Sequence, residues 1–189
     1  MTDAMELPQP GTFCPPERRI HVLVAAILAS SMGFIDGSVV AIATPAIRSG
    51  LGASLSDALW ISNAYMLFLA SLILIGGAAG DRFGLRRVFG LGIAAFTGAS
   101  LLCALAPNPA ILIVARALQG IGAALMVPGS LAIIAKAYPR AERGRAIGTW
   151  AAASSLTTIL GPVVGGFILT SFGDFGWRFV FAINLPLGA

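Results

Sequence analysis

Charge is what this chain has least of. Lys, Arg, Asp and Glu make up 11% of its 189 residues, where a soluble domain carries about 25%. Hydrophobic residues reach 57%, too many to hide inside one water-soluble core. These two numbers exclude an ordinary soluble globule and indicate an all-α polytopic membrane protein. Histidine occurs once, as His21, and cysteine twice, as Cys14 and Cys103. One cysteine lies in the N-terminal segment and the other in an apolar run, which gives neither a disulfide framework nor a metal site. No polar catalytic cluster is visible, so no enzyme activity, metal or cofactor is expected. The net charge is +4, but the basic residues sit in short loops, not in one stripe. Nucleic acid is therefore not an expected partner.

What is present is a series of long apolar runs. A span of about 20 residues, rising ~1.5 Å per residue, matches a bilayer core of about 30 Å. Such spans are expected over residues 20–47, 58–76, 88–106, 110–135 and 146–170, with a sixth beginning near residue 179. Residues 1–19, with five Pro or Gly among mixed charges, read as a disordered tail. The sixth run stops at Ala189, after about 16 Å, roughly half a bilayer. The expectation is an incomplete sixth helix and a chain that is the front part of a longer protein or a truncated product.

Loop charges orient the spans. Arg18, Arg19, Arg82, Arg86, Arg87, Lys136, Arg140, Arg143 and Arg145 fall on one side, and only Arg48 and Arg178 on the other. By the positive-inside rule the N-terminus is cytoplasmic, in a plasma (inner) membrane. Trp60 falls at the outer interface, where aromatic belts sit.

Two charges lie inside spans: Asp36 and Arg116. Counting residues from each end puts both about 9 Å from the outer face of a ~30 Å core. Equal depth makes a pair feasible, and a buried acid that can take a proton is a means of coupling proton flow to conformation. The plainer reading is a structural ion pair. Gln119, Gly120, Ala123 and Val127 share the helix face of Arg116, polar at its outer end and small below. Gly161 and Gly165 form a G-x-x-x-G surface beside Pro162, which removes a backbone donor and bends the helix. Gly166 closes that segment. Asn63, Tyr65, Gln119 and Met126 are candidate substrate-cavity residues by position.

Between the second and third spans runs Gly77-Ala78-Ala79-Gly80-Asp81-Arg82-Phe83-Gly84-Leu85-Arg86-Arg87. The pattern carried by Gly77, Asp81, Arg82, Gly84, Arg86 and Arg87 resembles the signature loop of the major facilitator superfamily, with Leu85 where that loop usually has a basic residue. Phe34 to Pro45 resembles the first-span motif of the superfamily's fourteen-span drug:proton antiporter branch. Arg116 to Ala124 is similar to the span-four motif, whose arginine is implicated in proton coupling. Gly161 to Gly166 resembles the span-five antiporter motif, and Gly176 to Pro186 the segment entering span six.

The resemblance implies the N-terminal six-helix half of an alternating-access exporter, built from inverted three-helix repeats around a central cavity. It implies proton-coupled multidrug efflux, with Asp36 and Arg116 in proton coupling and Gly77 to Arg87 as a gating loop. The partners it implies are the lipid bilayer, protons, an amphipathic or hydrophobic small molecule and the C-terminal half. Two other readings stand beside it. One is a proton-coupled uptake symporter on the same fold, against which the Gly161-Pro162 element speaks. The other is a non-transporting fragment that needs a partner half.

Overall fold

A computed structural model describes residues 14–188. Most of the expected N-terminal tail lies outside the described residues. Five long helices follow one another: α1 (Pro16–Leu51), α2 (Leu55–Phe83), α3 (Leu85–Leu105), α4 (Pro109–Ala137) and α5 (Arg140–Phe172). All five are long and apolar enough to cross a membrane. A 3-10 turn at Gly173–Phe175 leads into α6 (Gly176–Ala182) and α7 (Asn184–Gly188).

Each helix is longer than the apolar run that announced it. α1 begins at Pro16, so Pro16 to Arg19 belong to a helix and not to a tail. Proline at the first helical position sets φ in advance and gives up a donor that has no partner there. Ser54 caps α2: its side chain accepts from Asp57 N at 3.1 Å, and Asp57 Oδ2 accepts from Ser54 N at 2.9 Å. Asn108 caps α4 in the same way, its Oδ1 accepting from Ile111 N at 3.0 Å.

The expected loop between spans two and three is scarcely a loop. Gly77, Asp81 and Arg82 belong to the last turns of α2, and Arg86 and Arg87 to the first turn of α3. Gly84 alone joins them, with φ +98°, a conformation that L side chains rarely adopt. Hydropathy marks where a helix leaves lipid, not where its hydrogen bonds end, so the charged ends were read as a turn. The sixth span is also different in form. It starts at Gly176, three residues early, and is interrupted at Ile183. Pro186 has no N–H to give the carbonyl of Ala182, which accounts for the break.

α4 is the centre of the bundle, held between α2 and α3. α1 lies along α5 and touches α4, while α6 covers α3. Exchanging the first three helices with the second three maps α1–α5 onto α4–α2, and α1–α6 onto α4–α3. The first correspondence holds, both contacts being extensive, whereas α6 meets α1 far less than α3 meets α4.

Small residues let α4 sit so deep. A Cβ on Gly120 would stand 2.5 Å from Tyr65 O of α2, and one on Gly122 2.5 Å from Phe96 N of α3. In α5, a Cβ on Gly161 would collide with the Ser38 hydroxyl of α1, and one on Gly165 would reach 2.6 Å from Val39 Cγ1. The small faces expected of α4 and α5 are thus seams, and the α5 seam closes on α1. Pro162 lies inside α5, which remains one helix.

Candidate functional site

Asp36 and Arg116 meet in the bundle interior. Arg116 Nη1 donates to Asp36 Oδ2 at 2.5 Å, and both residues are 1% exposed. A charge in a membrane core is expensive, and pairing it with its opposite is the usual relief. Arg116 is held by more than its partner. Its Nε donates to Ile61 O of α2 at 3.1 Å, and its guanidinium carbon lies 4.4 Å from the centroid of the Tyr65 ring.

Gln119, one turn along α4, joins the pair. Its Oε1 accepts from Arg116 Nη1 at 2.7 Å and from Cys103 Sγ at 3.6 Å. Its Nε2 donates to Asp36 Oδ1 and to Ser100 Oγ, each at 2.8 Å. Ser100 Oγ donates to Phe96 O at 2.8 Å and accepts from Asn184 Nδ2 at 3.3 Å. One ion pair thus gathers side chains from α1, α3, α4 and α7, and a backbone carbonyl from α2.

The sequence placed Asp36, Arg116 and Gln119 together by depth and face. It missed Ser100, Cys103 and Asn184. Asn184 carried a usable signal, being an amide in an otherwise apolar segment, where an unpartnered polar group is costly.

The four residues expected at a substrate cavity do not share a surface. Gln119, Tyr65 and Met126 are buried, and Asn63 is exposed on α2. Gln119 and Tyr65 are occupied by Arg116, and Met126 fills the interior against Phe96 and Ala123. The antiporter-motif glycines Gly161 and Gly165 face α1, whereas a Cβ on Gly166 would meet nothing within 4 Å among the described residues.

At the basic end, Arg19 Nη1 pairs with Glu142 Oε2 at 3.3 Å, and Tyr138 OH donates to Arg19 O at 3.0 Å. Burial pushes the Tyr138 phenol above its ordinary value, with Arg19 opposing that shift. This clasp ties the start of α1 to the α4–α5 junction. Among the described residues no three His, Cys, Asp or Glu side chains are placed to hold a metal.

The described helices form a bundle long and apolar enough to cross a membrane, with a charge pair sealed at its heart. Residues 25–189 match the Major Facilitator Superfamily, and the chain belongs to that family. It is 44% identical over 177 residues to a probable actinorhodin transporter of Streptomyces coelicolor, covering 92% of this chain and 30% of that protein. It is 42% identical to a methylenomycin A resistance protein of Bacillus subtilis, covering 90% of this chain and 36% of that one. A tetracenomycin C resistance and export protein of Streptomyces glaucescens is 39% identical over 88% of this chain and 30% of its own length. The chain spans about a third of the length of these curated relatives.

Solved structures agree on the fold. The inward-open xylose transporter XylE of E. coli superposes with a TM-score of 0.78 at 19% identity, covering 90% of this chain and 46% of that one. A bacterial homolog of the human lysosomal transporter Spinster gives 0.76 at 23%, covering 92% and 42%. The chain is a multi-pass membrane protein with the fold of an N-terminal half of this family.

Proposed function

We propose that this chain forms the N-terminal half of a proton-coupled exporter of amphipathic or hydrophobic small molecules, of the drug:proton antiporter branch. The observation that carries the reading is the sealed Asp36–Arg116 pair with Gln119 between its members. A buried acid held by one cation and one amide has two states, ionised and paired or protonated and released. A proton arriving at Asp36 removes the attraction that ties α1 to α4. That is a means of turning proton entry into helix movement. The resistance and export named for the relatives favour outward transport.

The exporter needs a second half. In the apolar stretches of α5 and α2 only 17% and 22% of the residues are buried, and Ile159, Val163 and Phe167 of α5 and Met66 and Leu74 of α2 are exposed. These faces are where the C-terminal half and lipid lie. The basic end, with Arg82, Arg86 and Arg87 at the α2–α3 junction, faces the cytoplasm of a plasma membrane. There Gly77 to Arg87 acts as a gating element, and Gly161, Pro162, Gly165 and Gly166 set how α5 leans on α1. Of the cavity candidates, Asn63 on α2 is exposed and open to a substrate, while Gln119, Tyr65 and Met126 are buried and serve the charge network and the packing beside it.

The experiment is Asp36→Asn in the protein expressed from its natural reading frame and reconstituted in vesicles. An imposed pH gradient no longer drives transport of ethidium, while exchange of ethidium across the membrane without a gradient continues. Gradient-driven transport at the parent rate overturns proton coupling through Asp36.

A further inference from the structure

Asn184 stands outside every role given above. It is fully buried in the short α7, and its one side-chain bond among the described residues is the donation to Ser100 Oγ. Its Oδ1 is buried with no partner among the described residues. A leucine would fill such a place at less cost, since a buried amide left half-satisfied is unfavourable. The contact with Ser100 is therefore what the amide contributes.

The valences of Ser100 show what that contact does. A hydroxyl has one proton and two lone pairs. The proton goes to Phe96 O, and the lone pairs accept from Gln119 Nε2 and Asn184 Nδ2. With its proton spent, Ser100 presents only acceptor character to α4. Gln119 must then face it with the NH2 end. The second proton of that NH2 falls on Asp36 Oδ1, and Oε1 is left for Arg116 and Cys103. An amide turned the other way would set its oxygen against both Ser100 and the carboxylate.

The packing of α7 on α3 keeps Asn184 at this level. The α6–α7 segment runs antiparallel to α3, with Arg178 bonded to Ala104 O at 2.7 Å and Asn184 to Ser100. A Cβ on Gly188 would collide with Thr97 Oγ1. The register is thus fixed on both sides of Asn184. Arg116 from α4, Tyr65 from α2 and Cys103 from α3 are the titratable or charged groups that share the site.

We propose that Asn184 is a positioning residue which, through Ser100, fixes the Gln119 amide in the orientation that presents donors to Asp36, and so keeps proton and substrate movement coupled. The coupling part rests on the proton-coupled reading given above; the positioning part does not.

The test uses the protein from its natural reading frame in lipid nanodiscs, with 15N-labelled glutamine side chains. The Gln119 NH2 resonance is identified by its loss in Gln119→Leu. Asn184→Ala and Ser100→Ala each lower its protection from hydrogen exchange about tenfold, the worth of one buried hydrogen bond. Ser100→Thr, which keeps the hydroxyl, restores protection, and backbone protection of α3 and α4 stays at the parent level. Combining Asn184→Ala with Ser100→Ala adds nothing further, as expected when one acts through the other. Unchanged Gln119 protection overturns the positioning role, and so does an equal loss along the α3 and α4 backbones.

In vesicles, Asn184→Ala lowers the ratio of gradient-driven to exchange transport of ethidium about tenfold. An unchanged ratio, in a protein whose Asp36→Asn variant has lost gradient-driven transport, overturns the coupling part alone. If Asp36→Asn keeps gradient-driven transport, the proton-coupled reading falls and the Gln119 measurement still decides the positioning role.

Discussion

Arg116 Nη1 donates to two acceptors at once, the carboxylate of Asp36 at 2.5 Å and the amide oxygen of Gln119 at 2.7 Å. Gln119 returns a bond to the same carboxylate. The three side chains make a closed ring in which each touches the other two. A ring of this kind holds its members more firmly than a single pair would, because loosening one bond leaves the others in place.

The ring sets an expectation for stability. Removing one member of a buried pair leaves the other charge without compensation and costs about 3–5 kcal/mol. Arg116→Ala and Asp36→Leu each lower the thermal midpoint in detergent. The double substitution Asp36→Leu with Arg116→Met recovers most of that loss but not gradient-driven transport. A double variant as unstable as either single one would show that the pair is needed for folding in its own right.

The α4 seam gives a second expectation. Gly120→Leu and Gly122→Leu push α4 away from Tyr65 and Phe96 and destabilise the bundle by about 1–3 kcal/mol, the cost of overpacking. Gly90→Ala and Gly98→Ala, where a Cβ meets nothing within 4 Å, leave the thermal midpoint in place. Equal tolerance at all four positions would mean that α4 does not sit as deep as described.

The α1–α5 seam can be probed separately. Gly161→Leu and Gly165→Leu disrupt packing on Ser38 and Val39, whereas Gly166→Ala, facing open space, is neutral. Crosslinking between cysteines placed on α1 and α5 reports the separation. Full crosslinking in Gly161→Leu would show that α5 leans elsewhere.

Gly84 supplies a fourth. Its φ of +98° lies where side chains are rarely found, so Gly84→Ala costs about 1–3 kcal/mol. Gly37→Ala, with no close neighbour and an ordinary helical backbone, serves as the reference. The comparison is read from thermal midpoints, and equal midpoints would remove the strain from Gly84.

Much of this was legible in the sequence. Hydropathy gave five crossing helices, because apolar length is what a bilayer selects. The pair of Asp36 and Arg116 followed from counting residues into the membrane, and Gln119 from its i+3 position. Ser100, Cys103 and Asn184 were not found, because they join through the packing of α3 and α7 on α4, which no local spacing records. The cavity residues misled for a related reason. Position along the spans was the only guide to them, whereas Gln119 and Tyr65 are taken up by Arg116.

Helix ends were the other gap. The α2–α3 junction looked like a turn several residues long because it is rich in glycine and charge. Continuous hydrogen bonding carries both helices through it to Gly84.

The pairing of α1 with α5, and of Asp36 with Arg116, also has a consequence in time. Asp36 and Arg116 are 80 residues apart in the chain. At a synthesis rate of about 5–20 residues per second, the acid is made roughly 4–16 s before its cation exists. For that interval α1 carries an uncompensated carboxylate, a penalty of about 2.5–3.5 kcal/mol against entering lipid. Neither three-helix repeat can finish assembling alone, so the ribosome must deliver the second before the first can settle.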